Sequence, residues 1–501
     1  RNNIRSRIFV ILTASENGRY SKIFIIPMWK NKKWILKTTI AVTLFAVLFG
    51  YSIQPTSFQY VLPTSDGNNF LPATESTEGA KILLGTSSHI LPLVRFINFI
   101  GEPVKQWLIP LDVETMKADA IKVIGHDDFG NDLADWEAYH KLVDVANECC
   151  HLLGRLGIKG TLENILKFNL KIQQMVSQHP EILDETIEQP IILAAFTRTG
   201  ATFLYQVLAD VFQEELMPTL SYEIFGGPIE LYDPPRRKEE AELNLKNLGA
   251  VNPPMKLLHE WIAADEPEDE PGWYQYTVQG LVIPFTMPST WHHLKIYEDK
   301  SQERNLKLWE TLQKIRQWQA GGSNNNDTKK KKRFLMKAPE HLFGFPQLYN
   351  SHPDATFVTV SREEESWYPS ALIMTQLFQQ MFVHPRVNET IEFNDILNCG
   401  QRRSLQRIKN NSTYGDNVLH IKFGSYLFTQ TIEVVQQIAQ KANLPWDDAT
   451  QMQAKQVIAK RLSWKKGKAV YNLQQFGLTK EIIHEKLSQE NYCSMLDHVY
   501  Q

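Results

Sequence analysis

Three short clusters in this 501-residue chain carry residue types that handle anions and protons. The first is Ala194–Leu204, AAFTRTGATFL. Its Arg198 offers a fixed positive charge, Thr199 and Thr202 offer hydroxyl donors, and Gly200 lets the backbone come close to a ligand. The second is Lys337-Ala338-Pro339-Glu340-His341-Leu342, where a lysine that can stabilise developing negative charge stands near a carboxylate and an imidazole that can take a proton. The third is Arg362 with Ser370 eight residues on, a planar fork of donors followed by a hydroxyl, suited to phosphate. An acidic run, Glu266-Pro267-Glu268-Asp269-Glu270, adds further carboxylates as candidate bases, although clustered acids are most often simply solvated.

The elements needed to position these groups can be read from periodicity. Gln189–Phe196 is a short apolar run of the kind found in a buried parallel strand, and ATFLYQVLADVF after it has helical spacing. Strand, glycine-containing turn and helix together place an anion at a helix N-terminus. Further strands are expected at Arg333–Lys337, Ala355–Ser361 and Val418–Phe423, with helical patterns between them. This alternation predicts an α/β fold: a P-loop-type parallel sheet flanked by helices. Helical segments precede it in LDVETMKADAIKVIG, ADWEAYHKLVDVANECCHLLGRLG and TLENILKFNLKIQQMVSQH. The loop lacks the lysine that follows glycine in nucleoside triphosphatases.

Composition excludes several classes. A formal net charge of -3 speaks against a nucleic-acid binder. Four cysteines, Cys149, Cys150, Cys399 and Cys493, are too few for a disulfide scaffold and form no CxxC pair, so no metal site is expected. They allow three full pairings, and the adjacent Cys149 and Cys150 are not expected to pair with each other. The polar stretch GGSNNNDTKKKKR reads as a solvated surface loop.

The domain reading is a cytoplasmic tail over 1–33, a transmembrane anchor over 34–53, a stem over 54–110 and a catalytic domain over 111–501. Residues 1–27 are candidates for untranslated sequence, with Met28 as the start. Trp34–Ile53 carries Lys37 as its only charge, and Lys30, Lys32 and Lys33 precede it. Those lysines place the tail in the cytoplasm and the bulk of the chain in the lumen, as in a single-pass type II protein of the Golgi or another secretory compartment. Asn-x-Ser/Thr triplets at Asn326, Asn388, Asn410 and Asn411 are then glycosylation candidates.

In order and content, the motifs from about Leu111 to Tyr500 resemble the sulfotransferases that use 3'-phosphoadenosine 5'-phosphosulfate (PAPS), especially the large branch with the pattern GxPRTGTT. That family has Gly, Pro and Thr where this chain has Ala195, Thr197 and Ala201, and HRDP where it has Ser361-Arg362-Glu363-Glu364. The resemblance implies that Arg198, Thr199, Gly200, Ala201 and Thr202 hold the 5'-phosphosulfate, and that Arg362 and Ser370 hold the 3'-phosphate. It further implies Lys337 and Arg198 on the bridging and leaving oxygens, with His341, Glu340 or an acid of the 266–270 run as base. GKAVYNLQQFGLTKEII resembles the family's tail, making Lys466 and Lys468 candidate cofactor contacts. The implied reaction moves a sulfuryl group to a hydroxyl or amine of an unidentified glycan, lipid or secreted molecule. The acceptor is expected around residues 215–320, which carry Trp261, Trp273, Tyr274, Tyr276 and Trp291. Two alternatives share the fold: a catalytically silent lumenal interaction protein and a P-loop kinase.

Overall fold

The structure is a computed structural model. It describes residues 9–14, 20–26, 61–63, 70–72, 81–84, 98–99, 101–130, 135–227, 229, 234–251, 263–270, 277–292, 298–321, 331–414, 417–463, 468–471, 473–489 and 491–494. The chain divides into two compact units, Arg1–Ile82 and Leu83–Gln501. The first contains two antiparallel pairs, Phe9–Ala14 with Tyr20–Ile26 and Val61–Pro63 with Phe70–Pro72. The anchor expected at 34–53 lies outside the described residues. Among the described residues no helix is long and apolar enough to cross a membrane.

The second unit is built on a five-stranded parallel sheet. Across it the strands run Val418–Lys422, Thr356–Ser361, Ile191–Ala194, Arg333–Ala338 and Leu216–Pro218. Ile191–Ala194 is central and wholly buried, which explains its unbroken apolar sequence. Its Leu193 lies level with Lys337 on one neighbour and Val358 on the other. The chain leaves this central strand towards one edge and later returns to its other side. The carboxyl end of Ile191–Ala194 therefore sits at a switch point, where open α/β sheets bind ligands. The fifth strand, Leu216–Pro218, was not expected from sequence. It has three residues, ends in proline and occupies an edge, where a missing N–H is tolerated.

One face of the sheet is covered by helices Ala201–Val211, Thr431–Lys441 and Asp448–Ser463, which bury Leu204, Leu208, Val434 and Ile438. On the other, Phe196 packs against Phe343 and Trp367 with ring centroids 5.7 and 5.5 Å apart.

The expected N-terminal helices form with one shift. Val113–Ile124 and Trp136–Cys149 are helical, and the third helix is longer than periodicity implies, running Leu152–Gln178. The break falls at Cys150, which turns extended and bridges to Val383. His151 then caps the next helix by accepting from Gly154 N through Nδ1 at 2.8 Å. Gly154 is required there because a Cβ would stand 1.8 Å from the Phe382 carbonyl oxygen.

The structure forms none of the three full pairings: it contains the single disulfide Cys399–Cys493, with Cys149 and Cys150 free. The disulfide ties helix Val387–Asn410 to the C-terminal tail. Lys486 and the Tyr492 hydroxyl reinforce that tie by bonding Asp395 on the same helix.

Candidate active site

The loop after the central strand is shaped by two left-handed residues, Arg198 at φ 64° and Gly200 at φ 80°. At Gly200 a side chain is excluded twice over. The φ disfavours it, and a Cβ would come within 2.8 Å of Leu427 and 2.9 Å of Phe423. Thr199 is buried and donates its hydroxyl to the Phe196 carbonyl at 2.7 Å, so it fixes the turn and does not point outward. Helix Ala201–Val211 starts immediately afterwards, with its positive end at the loop.

Arg198 reaches across to the helix Glu364–Gln379, where its Nε donates to Ser370 Oγ at 2.9 Å. The Tyr471 hydroxyl also donates to Ser370, at 3.0 Å. Arg362 closes the group from the end of strand Thr356–Ser361. Its Nη1 donates to the Arg198 carbonyl at 2.8 Å, its Nε to Ser366 Oγ at 3.0 Å, and its guanidinium lies 4.3 Å from the Phe423 ring centre. Burial lowers the Arg362 pKa to about 10, with Arg198 adding to the fall and Tyr471 opposing it. The group stays charged at neutral pH, and these bonds go to a carbonyl and a hydroxyl, not to a carboxylate. Trp367 pins the same loop by donating Nε1 to the Thr197 carbonyl at 2.8 Å. Two guanidiniums, with hydroxyls and a carbonyl among their partners, come together here, a donor set suited to an anion.

A second cluster forms beside it. Lys337, buried on its strand, ion-pairs with Asp269 and donates to Thr202 Oγ1 at 3.3 Å. Thr202 in turn donates to Asp269 at 3.1 Å. The acidic run therefore is not a solvated patch, since each of its carboxylates has a separate task. Glu266 pairs with Arg461 at 2.7 Å, and Glu268 accepts from Asp269 N at 2.8 Å. Glu270 accepts from Thr219 at 2.8 Å, Trp309 Nε1 at 3.1 Å and His341 Nε2 at 3.0 Å.

The candidate bases separate accordingly. His341 and Glu270 are 1% and 0% exposed at their side chains, which makes the imidazole part of a sealed network. Glu340 is buried too, yet only its Oε1 is engaged, accepting from Leu281 N at 3.2 Å. Its Oε2 has no hydrogen-bond partner among the described residues. Burial pushes its pKa up to about 7; backbone donors and the Lys337 charge oppose the rise, and Asp269 adds to it.

The expected residues thus fall into two groups. Arg198, Arg362 and Ser370 converge, and Lys337 joins Thr202 instead of Arg198. Ala201 is buried at the first position of the helix. Lys466 lies outside the described residues, and Lys468 begins strand Lys468–Tyr471, with its side chain outside them. Trp261, Trp273, Tyr274 and Tyr276 also lie outside, whereas Trp291 is core, packed 5.5 Å from Phe393. Tyr471 and Trp367 were not singled out from sequence. The tail pattern Tyr-x-Leu held a signal for Tyr471, but nothing local pointed to Trp367. A cavity of about 660 Å³ runs along the edge strand beside Glu266 and Arg461, and none of Arg198, Thr202, Lys337 or Arg362 lines it. Among the described residues no group of three His, Cys, Asp or Glu side chains is placed to hold a metal ion.

Comparison with known proteins places the sheet and its helices among known folds. A family model described as "Sulfotransferase family" matches residues 190–448, slightly more than half of the chain. No curated protein matches. The crystal structure of sulfotransferase STF1 from Mycobacterium tuberculosis superposes with a TM-score of 0.59 at 22% identity, covering 76% of this chain and 99% of that one. Sulfotransferase STF9 from Mycobacterium avium gives 0.60 at 19% identity, covering 77% and 96%. At these identities the likeness is one of fold.

Proposed function

The chain belongs to the sulfotransferase family, and we propose that it transfers the sulfuryl group of PAPS to a hydroxyl or amine of an acceptor. The observation that carries this reading is the convergence of Arg198, Arg362, Ser370 and Tyr471 at the carboxyl end of the central strand. A nucleotide with phosphates at both 3' and 5' positions needs two anion sites, one on the loop and one beyond it. Arg362 and Ser370 would hold the 3'-phosphate, while the loop, Thr202 and Lys337 would hold the 5'-phosphosulfate. PAPS supplies a sulfuryl group on a phosphosulfate bridge. The acceptor oxygen or nitrogen bonds to sulfur, the bridging S–O bond breaks with its electron pair going to the 5'-phosphate, and the acceptor proton goes to a base. Lys337 stabilises the charge that develops on the phosphate. Glu340 is the base this reading favours, since burial raises its pKa to about 7 with the Lys337 charge nearby, and its Oε2 has no hydrogen-bond partner among the described residues. His341 positions the acidic segment through Glu270 and does not touch the acceptor.

The apolar run Trp34–Ile53 with lysines before it supports a membrane-tethered lumenal enzyme acting on glycans, lipids or secreted molecules. The Cys399–Cys493 disulfide favours an oxidising compartment. Asn388 and Asn410 are exposed on helix Val387–Asn410, as glycan acceptors must be. Carbonate extraction and a glycosidase mobility shift of the expressed full chain test this placement, and a soluble, unshifted protein would overturn it.

The donor is tested by calorimetry of 3'-phosphoadenosine 5'-phosphate without metal, beside ATP with Mg²⁺. Metal-free binding that is lost in Arg198→Ala and Arg362→Ala is the expected result. Preference for Mg-ATP would indicate a kinase, and no binding by folded protein a silent interaction protein.

A further inference from the structure

Lys337 and Thr202 are the two side chains that the proposed donor most needs at its sulfuryl end, and both are engaged by a single carboxylate, Asp269. This contact is built into the fold. Asp269 sits on a segment clamped on both sides: Glu270 N donates to the Lys337 carbonyl at 2.9 Å, and Glu268 N to the Thr219 carbonyl at 3.0 Å. Glu266 is fixed by Arg461 and Glu270 by His341 and Trp309. The rigid strap delivers one carboxylate to the mouth of the loop, where its side chain is 11% exposed against 2% for Lys337.

A buried ammonium without a counter-ion is strongly unfavourable, so something anionic must accompany Lys337 when no ligand is bound. A phosphosulfate or phosphate arriving at Thr202 and Lys337 carries the same sign of charge as Asp269 and seeks the same donors. The two anions cannot both hold Lys337 without repulsion in a site of low polarity.

Resting on the donor proposed above, we propose that Asp269 is the resident counter-ion of Lys337, and that the 5'-phosphosulfate binds by taking its place. Donor binding is an exchange of one anion for another at Lys337 and Thr202. Asp269 therefore sets donor affinity. It also competes for Lys337 after transfer, which favours departure of the nucleotide bisphosphate. Asp269 is a positioning residue for Lys337 and makes no bond to the transferred group.

The test is calorimetric binding of 3'-phosphoadenosine 5'-phosphate to the full chain, alone and with Asp269→Asn, Lys337→Met and both. Removing the competing charge is expected to tighten binding roughly tenfold or more in Asp269→Asn, in line with charge pairs at interfaces. In the Lys337→Met background the same change is expected to alter binding less than about threefold, because the contested cation is gone. Asp269→Ser serves as the second variant if the amide disturbs folding. Unchanged or weaker binding in an Asp269 variant that melts like wild type overturns the exchange. Absence of binding by the wild type overturns the donor reading itself, and the exchange with it.

Discussion

Arg198 donates from Nε to the hydroxyl of Ser370 at 2.9 Å, a bond between residues 172 positions apart. It joins the loop after the central strand to the helix Glu364–Gln379 and, with the Arg362 bond to the Arg198 carbonyl, brings the two proposed phosphate-holding elements into one cradle. The arginine takes this direction because its backbone is left-handed and its carbonyl is held by Arg362.

The cradle makes Ser370→Ala informative. It removes the acceptor for Arg198 and the partner of Tyr471, as well as a direct donor to the proposed 3'-phosphate. A charge-assisted hydrogen bond contributes about 1.5–3 kcal/mol, so binding of 3'-phosphoadenosine 5'-phosphate is expected to weaken by roughly 10- to 150-fold. Arg362→Lys should weaken it comparably, because an ammonium cannot reproduce the fork. Calorimetry at fixed salt reads both.

His341 is expected to matter for stability. Replacement by Ala leaves Glu270 buried with one hydrogen-bond donor fewer, and such an unsatisfied buried group costs about 1–3 kcal/mol. Urea unfolding should show this loss, with nucleotide binding by the folded fraction kept within about twofold. A His341 acting as base would give the reverse pattern: wild-type stability and no transfer.

Glu340 gives a pH signature with a definite sign. Its folded-state pKa, about 7, lies above the ordinary value of 4.5. Between these values the folded protein binds more protons than the unfolded chain, so this group's contribution to stability falls as pH rises through the window. The loss is complete above about pH 7 and amounts to roughly 3 kcal/mol. Glu340→Gln does not titrate. The difference in unfolding free energy between this variant and wild type should move in the variant's favour by about that amount from pH 4.5 to 8. A flat difference would show that the carboxyl is not desolvated.

The disulfide closes a span of 94 residues. Loss of such a link costs up to about 4–5 kcal/mol on the chain-entropy account. The Cys399→Ala, Cys493→Ala double variant should therefore melt well below the parent. Lys486 and Tyr492 still hold Asp395, so the tail that carries Tyr471 stays docked and nucleotide affinity should change by less than about threefold. A large affinity loss at unchanged melting temperature would contradict this.

Local elements and the chemistry they carry are legible along the chain. Ile191–Ala194 was legible as a buried strand because both its faces are covered, so every residue is apolar. Gly200 and Arg362 with Ser370 were legible because a strand–turn–helix unit and a strand–helix junction each lie within about a dozen consecutive residues. Leu216–Pro218 was not, since three residues ending in proline carry no period. Which charges meet depends on the assembled fold. Glu266, Asp269 and Glu270 lie within five positions of one another, yet they bind Arg461, Lys337 and His341, which are 195, 68 and 71 residues away. Side chains of one local type receive different tasks only when the strand order and helix packing bring distant partners to each. For the same reason neither the cysteine pairing nor the sealing of His341 could be read before the sheet had been assembled.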